Sequence, residues 1–392
     1  MSDSKMSKKG QFFDYSTLII VLVLTAFGLV MVYSTSSYSA LKHNLDTAHY
    51  FKKQIFATVL GLGCMTIASF IDYKKLKEWA PAIYIVALIT VFLVIPFGRE
   101  LNGAKRWIYI GKLSFQPAEF VKLALIIMLA AFATFSGKYM AKVKNTMFFI
   151  AIGGIPTLLI FFITKNLSTA VIIAGITYLM LVISHPRPKW IYAITAVVCV
   201  AGVVFLVMFF KSVQSGTGLG FRFQRLLAWR DPVNYHSETG YQTLQALYAI
   251  GSGGFFGKGL GQSVQKMGFI PEAQNDMIFS VICEELGLFG GICLIILFIL
   301  LIYRMMVIAN NAPDLFGSML VSGVMVHIAI QVILNIAVVT NTIPNTGVSL
   351  PFISYGGTSV MFLMAEMGIV LNVTRQIRVP VSDAPKSKGG NR

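Results

Sequence analysis

Apolar residues fill this chain in long blocks, and polar or charged residues cluster in the short intervals between them. A transmembrane helix needs about 20 mainly apolar residues. Ten blocks meet that demand, at roughly 16–36, 53–71, 80–97, 119–136, 146–163, 167–184, 190–211, 277–303, 316–341 and 354–374. The pattern predicts an all-α polytopic membrane protein with a long extracytoplasmic loop between helices seven and eight. It divides the chain into an N-terminal tail (1–15), a single transmembrane domain (16–376, with the loop at 212–276) and a C-terminal tail (377–392). That last tail is polar and rich in Lys and Gly from about Ser382, a composition expected to be disordered. The first block has a basic start (Lys5, Lys8, Lys9), yet its apolar run from Thr17 to Tyr33 exceeds a signal peptide's usual core, so it reads as a retained helix. The chain shows no internal repeat, which disfavours two-halved transporter designs.

Composition agrees with this reading. The 392 residues are 56% hydrophobic and only 12% charged, where soluble chains run near 25% charged. With a mean hydropathy of +0.73, the apolar excess must face lipid. A cytosolic enzyme, a disordered chain and a disulfide-built secreted module are excluded. Cys64, Cys199, Cys283 and Cys293 lie singly inside apolar runs and read as small buried hydrophobes.

Charge adds orientation. Lys and Arg total 32 against 16 Asp and Glu, a net +16. With the N-terminus cytoplasmic, inner segments carry 17 of the basic residues and outer segments 14, six of them in the long loop. Long loops are exempt from the positive-inside rule, so the comparison is 17 against 8 and both termini are expected in the cytoplasm. Four outer charges, Arg99, Lys105, Arg106 and Lys112, crowd the loop between the third and fourth blocks. They either solvate that loop or meet an anionic group outside the membrane. Basic residues in twos and threes suit anionic membrane lipids or phosphorylated substrates, and argue against nucleic acid.

Ionisable groups within spans need a partner or a wet cavity. Glu119 and Lys122, three apart, share a helix face and are expected to pair, as a structural ion pair or as the lining of a cavity under the basic loop. His327, Gln331 and Asn335 recur every four residues and draw a polar stripe into the bundle, most simply for hydrogen bonds between helices. Glu366 has no partner evident in sequence.

The long loop is the richest segment. Tyr241, Leu244, Leu247, Tyr248 and Gly251 recur at helical spacing and predict an amphipathic helix. Glycines at 251, 253, 254, 257, 259 and 261 are too irregular for a nucleotide fingerprint, and point to tight backbone packing or close approach to a substrate. Asp276 closes the loop at the mouth of the eighth helix, as a helix cap or as a single general base facing Arg222, Arg225, Arg230, Lys258 and Lys266. On an ideal helix Glu284 lies about 12 Å deeper and Glu285 faces away, so these acids form no glycosidase-like pair with Asp276.

Three motifs carry a family resemblance: NGAKRWI at 102–108 with FQPAEFVKL at 115–123, GSGGFFGKGLGQSVQKMGFIPEAQNDMIF at 251–279, and TGVSLPFISYGGTS at 346–359. The chain resembles the SEDS family (shape, elongation, division and sporulation) of bacterial cell-wall synthesis from about residue 14 to 378, and AWRDP, GYQTLQAL and GLGQSVQK look like its division-type branch. The resemblance implies ten transmembrane helices in the cytoplasmic membrane, at the division septum. It implies a peptidoglycan glycosyltransferase that polymerises lipid II outside the membrane with a class B penicillin-binding protein, a transpeptidase, and other division proteins. Asp276 falls on the family's essential aspartate, Trp107 on its loop tryptophan, and Glu119 with Lys122 on its intramembrane pair. Two departures stand out. The family's His-Thr-Asp-Phe is here Gln274-Asn275-Asp276-Met277, and its Pro-Asp-Leu is Lys165-Asn166-Leu167, so no role for an acid at 166 carries over.

Joined to the residues, the resemblance implies that Asp276 deprotonates the acceptor hydroxyl while Lys105, Arg106, Arg222, Arg225 and Lys258 meet the charge of a pyrophosphate leaving group. A helix starting near Ser354 offers backbone donors, with Gly356 and Gly357 permitting close approach. A divalent cation such as Mg2+ or Mn2+ could share that task, but no ligand cluster specifies it. A lipid II flippase and a division scaffold are the rival readings.

Overall fold

The computed structural model describes residues 10, 11, 13–42, 44–101, 104–110, 113–186, 189, 191–193, 195, 196, 221–234 and 238–379. Among them, nine helices are long and apolar enough to cross a membrane. They are α1 (Tyr15–Lys42), α2 (His49–Phe70), α3 (Tyr73–Phe92) with its short continuation α4 (Val94–Phe97), α5 (Pro117–Ser136), α6 (Val143–Ile163) and α7 (Leu167–Ser184). Two shorter helices, α8 (Phe221–Arg230) and α9 (Glu238–Gly253), precede the long α10 (Ile278–Asn310), α11 (Leu315–Val339) and α12 (Gly357–Gln376). The seventh predicted span, 190–211, lies for the most part outside the described residues. The last helix starts at Gly357 rather than near Ser354.

Local sequence sets several of these boundaries. Asp72, Asn166 and Asp314 each cap a helix by accepting the backbone N–H of Lys74, Thr169 and Gly317, at 3.0, 3.2 and 2.7 Å. Pro117 occupies the first turn of α5, where its missing N–H costs nothing. Asn166 therefore has a structural use of its own, since Asn caps a helix as well as Asp does.

Burial separates a central group from a periphery. In the most apolar stretch of each helix, 72% of residues in α12 and 61% in α5 and in α11 are buried, against 28% in the span formed by α3 and α4. Peripheral helices turn large apolar side chains outward, such as Phe135 (86% exposed) and Phe162 (70%). Such surfaces require a lipid solvent.

Two small sheets complete the fold. β1 (Gly10–Gln11) pairs antiparallel with β5 (Arg378–Val379), so the tail expected to begin at 377 opens with a strand joined to the N-terminal segment. Residues 380–392 lie outside the described set. Nearby, Asp14 binds Arg304 at 2.6 Å. Burial pushes the Asp14 carboxyl up, but hydrogen bonds from Arg304 and Thr17 outweigh it and hold the group below the usual carboxylate range. The basic loop is also more ordered than a solvated loop. β2 (Gly98–Leu101), β3 (Ala104–Ile110) and β4 (Leu113–Phe115) form an antiparallel sheet in that order. Asp14 thus lies against the Arg304 half of α10, and Asp276 lies just before the other end of that helix.

Candidate active site

Asp276 sits half-buried in the turn at 271–277, just before α10. Met277, not Asp276, occupies the cap position of that helix. The turn is held by groups distant in sequence. Asn335 donates from Nδ2 to the carbonyls of both Asp276 and Val348 at 2.7 Å, and the Tyr355 N–H donates to the Gln274 carbonyl at 2.9 Å. Gly347 adopts φ 70°, and a Cβ there would stand 3.6 Å from Asp276 Oδ2. A left-handed backbone beside the carboxylate favours glycine. Further out, Trp229 of α8 donates to the Asn341 carbonyl at 3.0 Å, Asn345 donates to Gln242 of α9 at 3.1 Å, and Gln242 donates to the Pro271 carbonyl at 3.3 Å. Two of the three motif regions, 251–279 and 346–359, thus meet at the Asp276 turn.

The predicted amphipathic helix is α9, but its buried face differs from the apolar stripe. Thr243, Ala246 and Ala249 are buried, whereas Tyr241 and Tyr248 are 39% and 52% exposed. Small residues face the protein, and the tyrosines point outward.

The glycine-rich run after α9 packs into a break in α10. Gly287 has φ 70° and ψ −173°, which interrupts the helix. The Glu284 and Glu285 carbonyls instead accept the Lys258 and Gly259 N–H groups at 3.0 and 2.9 Å, and the Leu288 and Phe289 N–H groups donate to the Gly254 and Phe255 carbonyls at 2.9 and 3.0 Å. A Cβ at Gly257 or Gly287 would come within 2.2–2.3 Å of a backbone oxygen, so only glycine fits this crossing. Backbone packing, one of the two sequence readings, accounts for Gly253 and Gly257, whereas Gly254, Gly259 and Gly261 serve positive φ values of 59°, 103° and 82°.

Both glutamates of the break are fully buried and fully engaged. Glu284 binds Lys258 at 2.7 Å, accepts the Val264 and Gln265 N–H groups at 3.1 and 3.3 Å, and accepts the Ser263 hydroxyl. Glu285 binds Lys266 at 2.7 Å, the Ser34 hydroxyl of α1 at 2.7 Å and the Gly261 N–H at 3.0 Å. The Lys258 ammonium is therefore already paired.

The remaining predicted cations lie on β3 and α8. Lys105 and Arg106 are exposed on β3, where Lys105 donates to the Ile95 carbonyl at 3.3 Å and Arg106 to the Lys165 carbonyl at 3.4 Å. Trp107 is half-buried beside them, paired across the sheet with Arg99. Arg222 and Arg225 belong to the backbone of α8, and their side chains lie outside the described residues. Thr358 donates to the Ser114 carbonyl at 2.6 Å and so ties this sheet to the start of α12. There Ser354 is buried with its hydroxyl accepting the Leu350 N–H at 2.8 Å, and the Gly356 N–H donates to Gln54 at 3.2 Å. Gly356 is extended (φ 171°), a conformation open to any residue, and a Cβ on Gly357 would touch Ala57 at 3.4 Å. Burial pushes the Tyr355 hydroxyl above its ordinary pKa.

Inside the bundle, Glu119 and Lys122 pair at 2.8 Å, both buried. Glu366 finds its partner in His327 at 2.9 Å. Gln331 and Asn335 continue the stripe along α11 to the Asp276 turn. Glu119 Oε2, Glu366 Oε1, His327 Nε2 and Gln331 Oε1 are buried with no hydrogen-bond partner among the described residues. No group of three or more His, Cys, Asp or Glu that could hold a metal occurs among the described residues. Sequence reasoning passed over Gly347 and Tyr355, and weighed Glu284 and Glu285 only as partners of Asp276, without the lysines that bind them. The signal for the last two was an adjacent acid pair in an apolar span, a costly placement that demands partners.

A multihelical membrane bundle with a half-buried acid in the turn before α10 defines a class that comparison narrows further. The family described as "Cell cycle protein" (FtsW, RodA, SpoVE) matches residues 15–379, and the chain belongs to it. The chain is 36% identical to the stage V sporulation protein E of Bacillus subtilis (strain 168), over 93% of this chain and 98% of that protein. It is 35% identical to a probable peptidoglycan glycosyltransferase FtsW of Trichlorobacter lovleyi, over 94% of each. Among solved structures, a chain reported under "Structural coordination of polymerization and crosslinking by a peptidoglycan synthase complex" superposes with a TM-score of 0.76 at 26% identity, covering 93% of this chain and 98% of that one. The rod shape determining protein RodA of Thermus thermophilus gives a TM-score of 0.67 at 25% identity, covering 93% and 97%.

Proposed function

We infer that this chain is a peptidoglycan glycosyltransferase that polymerises lipid II on the outer face of the bacterial cytoplasmic membrane, in septal wall synthesis. The observation that carries the mechanism is the half-buried Asp276, held by Asn335 and Tyr355 in a turn where two motif regions of this chain, 251–279 and 346–359, meet. In the reaction, the 4-hydroxyl of the acceptor's terminal GlcNAc attacks the anomeric carbon of the donor glycan. The bond from that carbon to the lipid pyrophosphate breaks, and Asp276 takes the hydroxyl proton, giving inversion. Lys105 and Arg106, with Arg222 and Arg225, supply positive charge for the departing pyrophosphate, and Trp107 borders the same sheet. Lys258 can contribute only by sharing its bond to Glu284. The Gly357, Thr358 and Ser359 amides at the start of α12 are a further anion contact, beside Ser354 and Gly356. Membrane lipids, lipid II and a class B penicillin-binding protein are the partners on this reading. The Asp276 end lies outside, and the end with Asp14, Arg304 and both termini lies in the cytoplasm, in keeping with the distribution of Lys and Arg.

Purified full-length protein with its partner transpeptidase tests the assignment. Asp276→Asn should abolish glycan synthesis from lipid II, a loss of about a hundredfold or more; near wild-type polymer from a folded variant removes Asp276 from the reaction. The buried pairs Glu119–Lys122 and His327–Glu366 favour a second reading, a lipid II flippase. Leaflet transfer of lipid II without polymer would support it. A scaffold alone predicts that Asp276→Asn leaves division intact.

A further inference from the structure

The break in α10 leaves residues 278–286 as a short rod of about 13 Å, fixed at both ends by contacts from elsewhere in the chain. Its outer end continues into the Asp276 turn, pinned by Asn335 and Tyr355. Its inner end stops at Gly287, where helical hydrogen bonds give way to those of residues 254–259. Without a continuous helix below it, the rod's tilt is not set by the long half of α10. It is set by what grips residues 284 and 285.

Successive residues on a helix point about 100° apart, so the two carboxylates grip in different directions. Glu284 reaches into the glycine-rich loop and takes Lys258, Ser263 and the backbone amides of Val264 and Gln265. Glu285 reaches toward α1 and takes Ser34, which in turn receives the Lys266 ammonium at 2.8 Å. Charge-assisted bonds of this kind are short and directional. The result is a two-point brace between the loop, α1 and the rod that bears Asp276.

We propose that Glu284 and Glu285 are positioning residues for Asp276, orienting the half-helix 278–286 so that the carboxylate meets the acceptor hydroxyl. The proposal rests on the general-base reading of Asp276. Neither glutamate takes part in proton transfer, since each is closed off by its own donors.

The test uses the full chain reconstituted with the class B penicillin-binding protein, with lipid II as substrate. Glu284→Gln and Glu285→Gln keep the shape and remove the charge. Each should lower kcat about tenfold or more, because an ångström of misplacement is costly at a reacting centre, while KM for lipid II stays within about twofold. Ser263→Ala and Ser34→Ala remove one hydrogen bond from each carboxylate and should lower kcat by about threefold. A purely structural role would instead scale activity with the folded fraction seen by size exclusion, leaving kcat per folded molecule unchanged; that result overturns the proposal. If the Gln variants do not fold, the Ser variants decide, and wild-type kcat in both overturns it. Asp276→Asn is run alongside. Activity in that variant defeats the general-base reading itself, whereas an inactive Asp276→Asn with fully active Gln variants defeats the positioning role alone.

Discussion

The molecule buries two sets of charged pairs, and they are built in opposite ways. At the break in α10, Glu284 and Glu285 have every carboxylate oxygen occupied by lysine, serine or backbone amide. On α5, α11 and α12, Glu119–Lys122 and His327–Glu366 pair at 2.8 and 2.9 Å yet leave one oxygen of each acid, and one ring nitrogen, without a partner among the described residues. Buried polar groups are nearly always satisfied. A saturated pair is a fastening, since nothing else can bind to it. An unsaturated pair keeps hydrogen-bonding capacity for water or for a polar ligand.

Cutting one partner from the inner set should give the largest effect on stability. Lys122→Met leaves the Glu119 carboxylate buried and unpaired, at a cost of about 3–5 kcal/mol. The double variant Glu119→Gln with Lys122→Met should recover most of that loss. Thermal unfolding in detergent measures both, and a double variant no more stable than Lys122→Met would show that the pair has another duty. Gly287→Ala comes next. Its φ of 70° costs about 1–2 kcal/mol for an L-residue, and its Cβ would meet the Phe255 carbonyl at 2.3 Å, so faster proteolysis within residues 254–266 is expected. Glu366→Gln keeps a hydrogen bond to His327 and should cost about 1–3 kcal/mol; a neutral result would mean that the pair holds no charge.

The smallest effect belongs to the far end. Because Asp14 is held below its unfolded pKa, its contribution to stability is present above the unfolded carboxyl value and fades as pH falls through the lowered folded value. Asp14→Asn should therefore remove about 1 kcal/mol near neutral pH and flatten the acid limb of a stability profile. An unchanged slope between the two proteins would assign that limb to other carboxylates.

How much of this was legible beforehand depended on range. The nine described spans follow the apolar blocks to within a few residues at most boundaries, because each helix satisfies its own backbone and needs only an apolar sequence to sit in lipid. Glu119 with Lys122 could be read as a pair from their spacing alone. The partner of Glu366 could not, since His327 lies 39 residues away on another helix. The stripe on α9 misled in one respect. The large residues Tyr241 and Tyr248 are exposed and the small ones, Ala246 and Ala249, are buried, so the apolar stripe did not mark the packed face.

By itself, then, the sequence determined the class: apolar length fixed the spans, charge asymmetry gave an expected orientation, and three motifs pointed to the family. Only the tertiary structure decided which charges are free to act. Spacing along one helix cannot show that Lys258 and Lys266 are committed to Glu284 and Glu285, or that Gly287 breaks a helix that hydropathy reads as continuous. Those facts arise from hydrogen bonds between segments that the chain brings together only when it folds, and such bonds leave no periodic trace in the sequence.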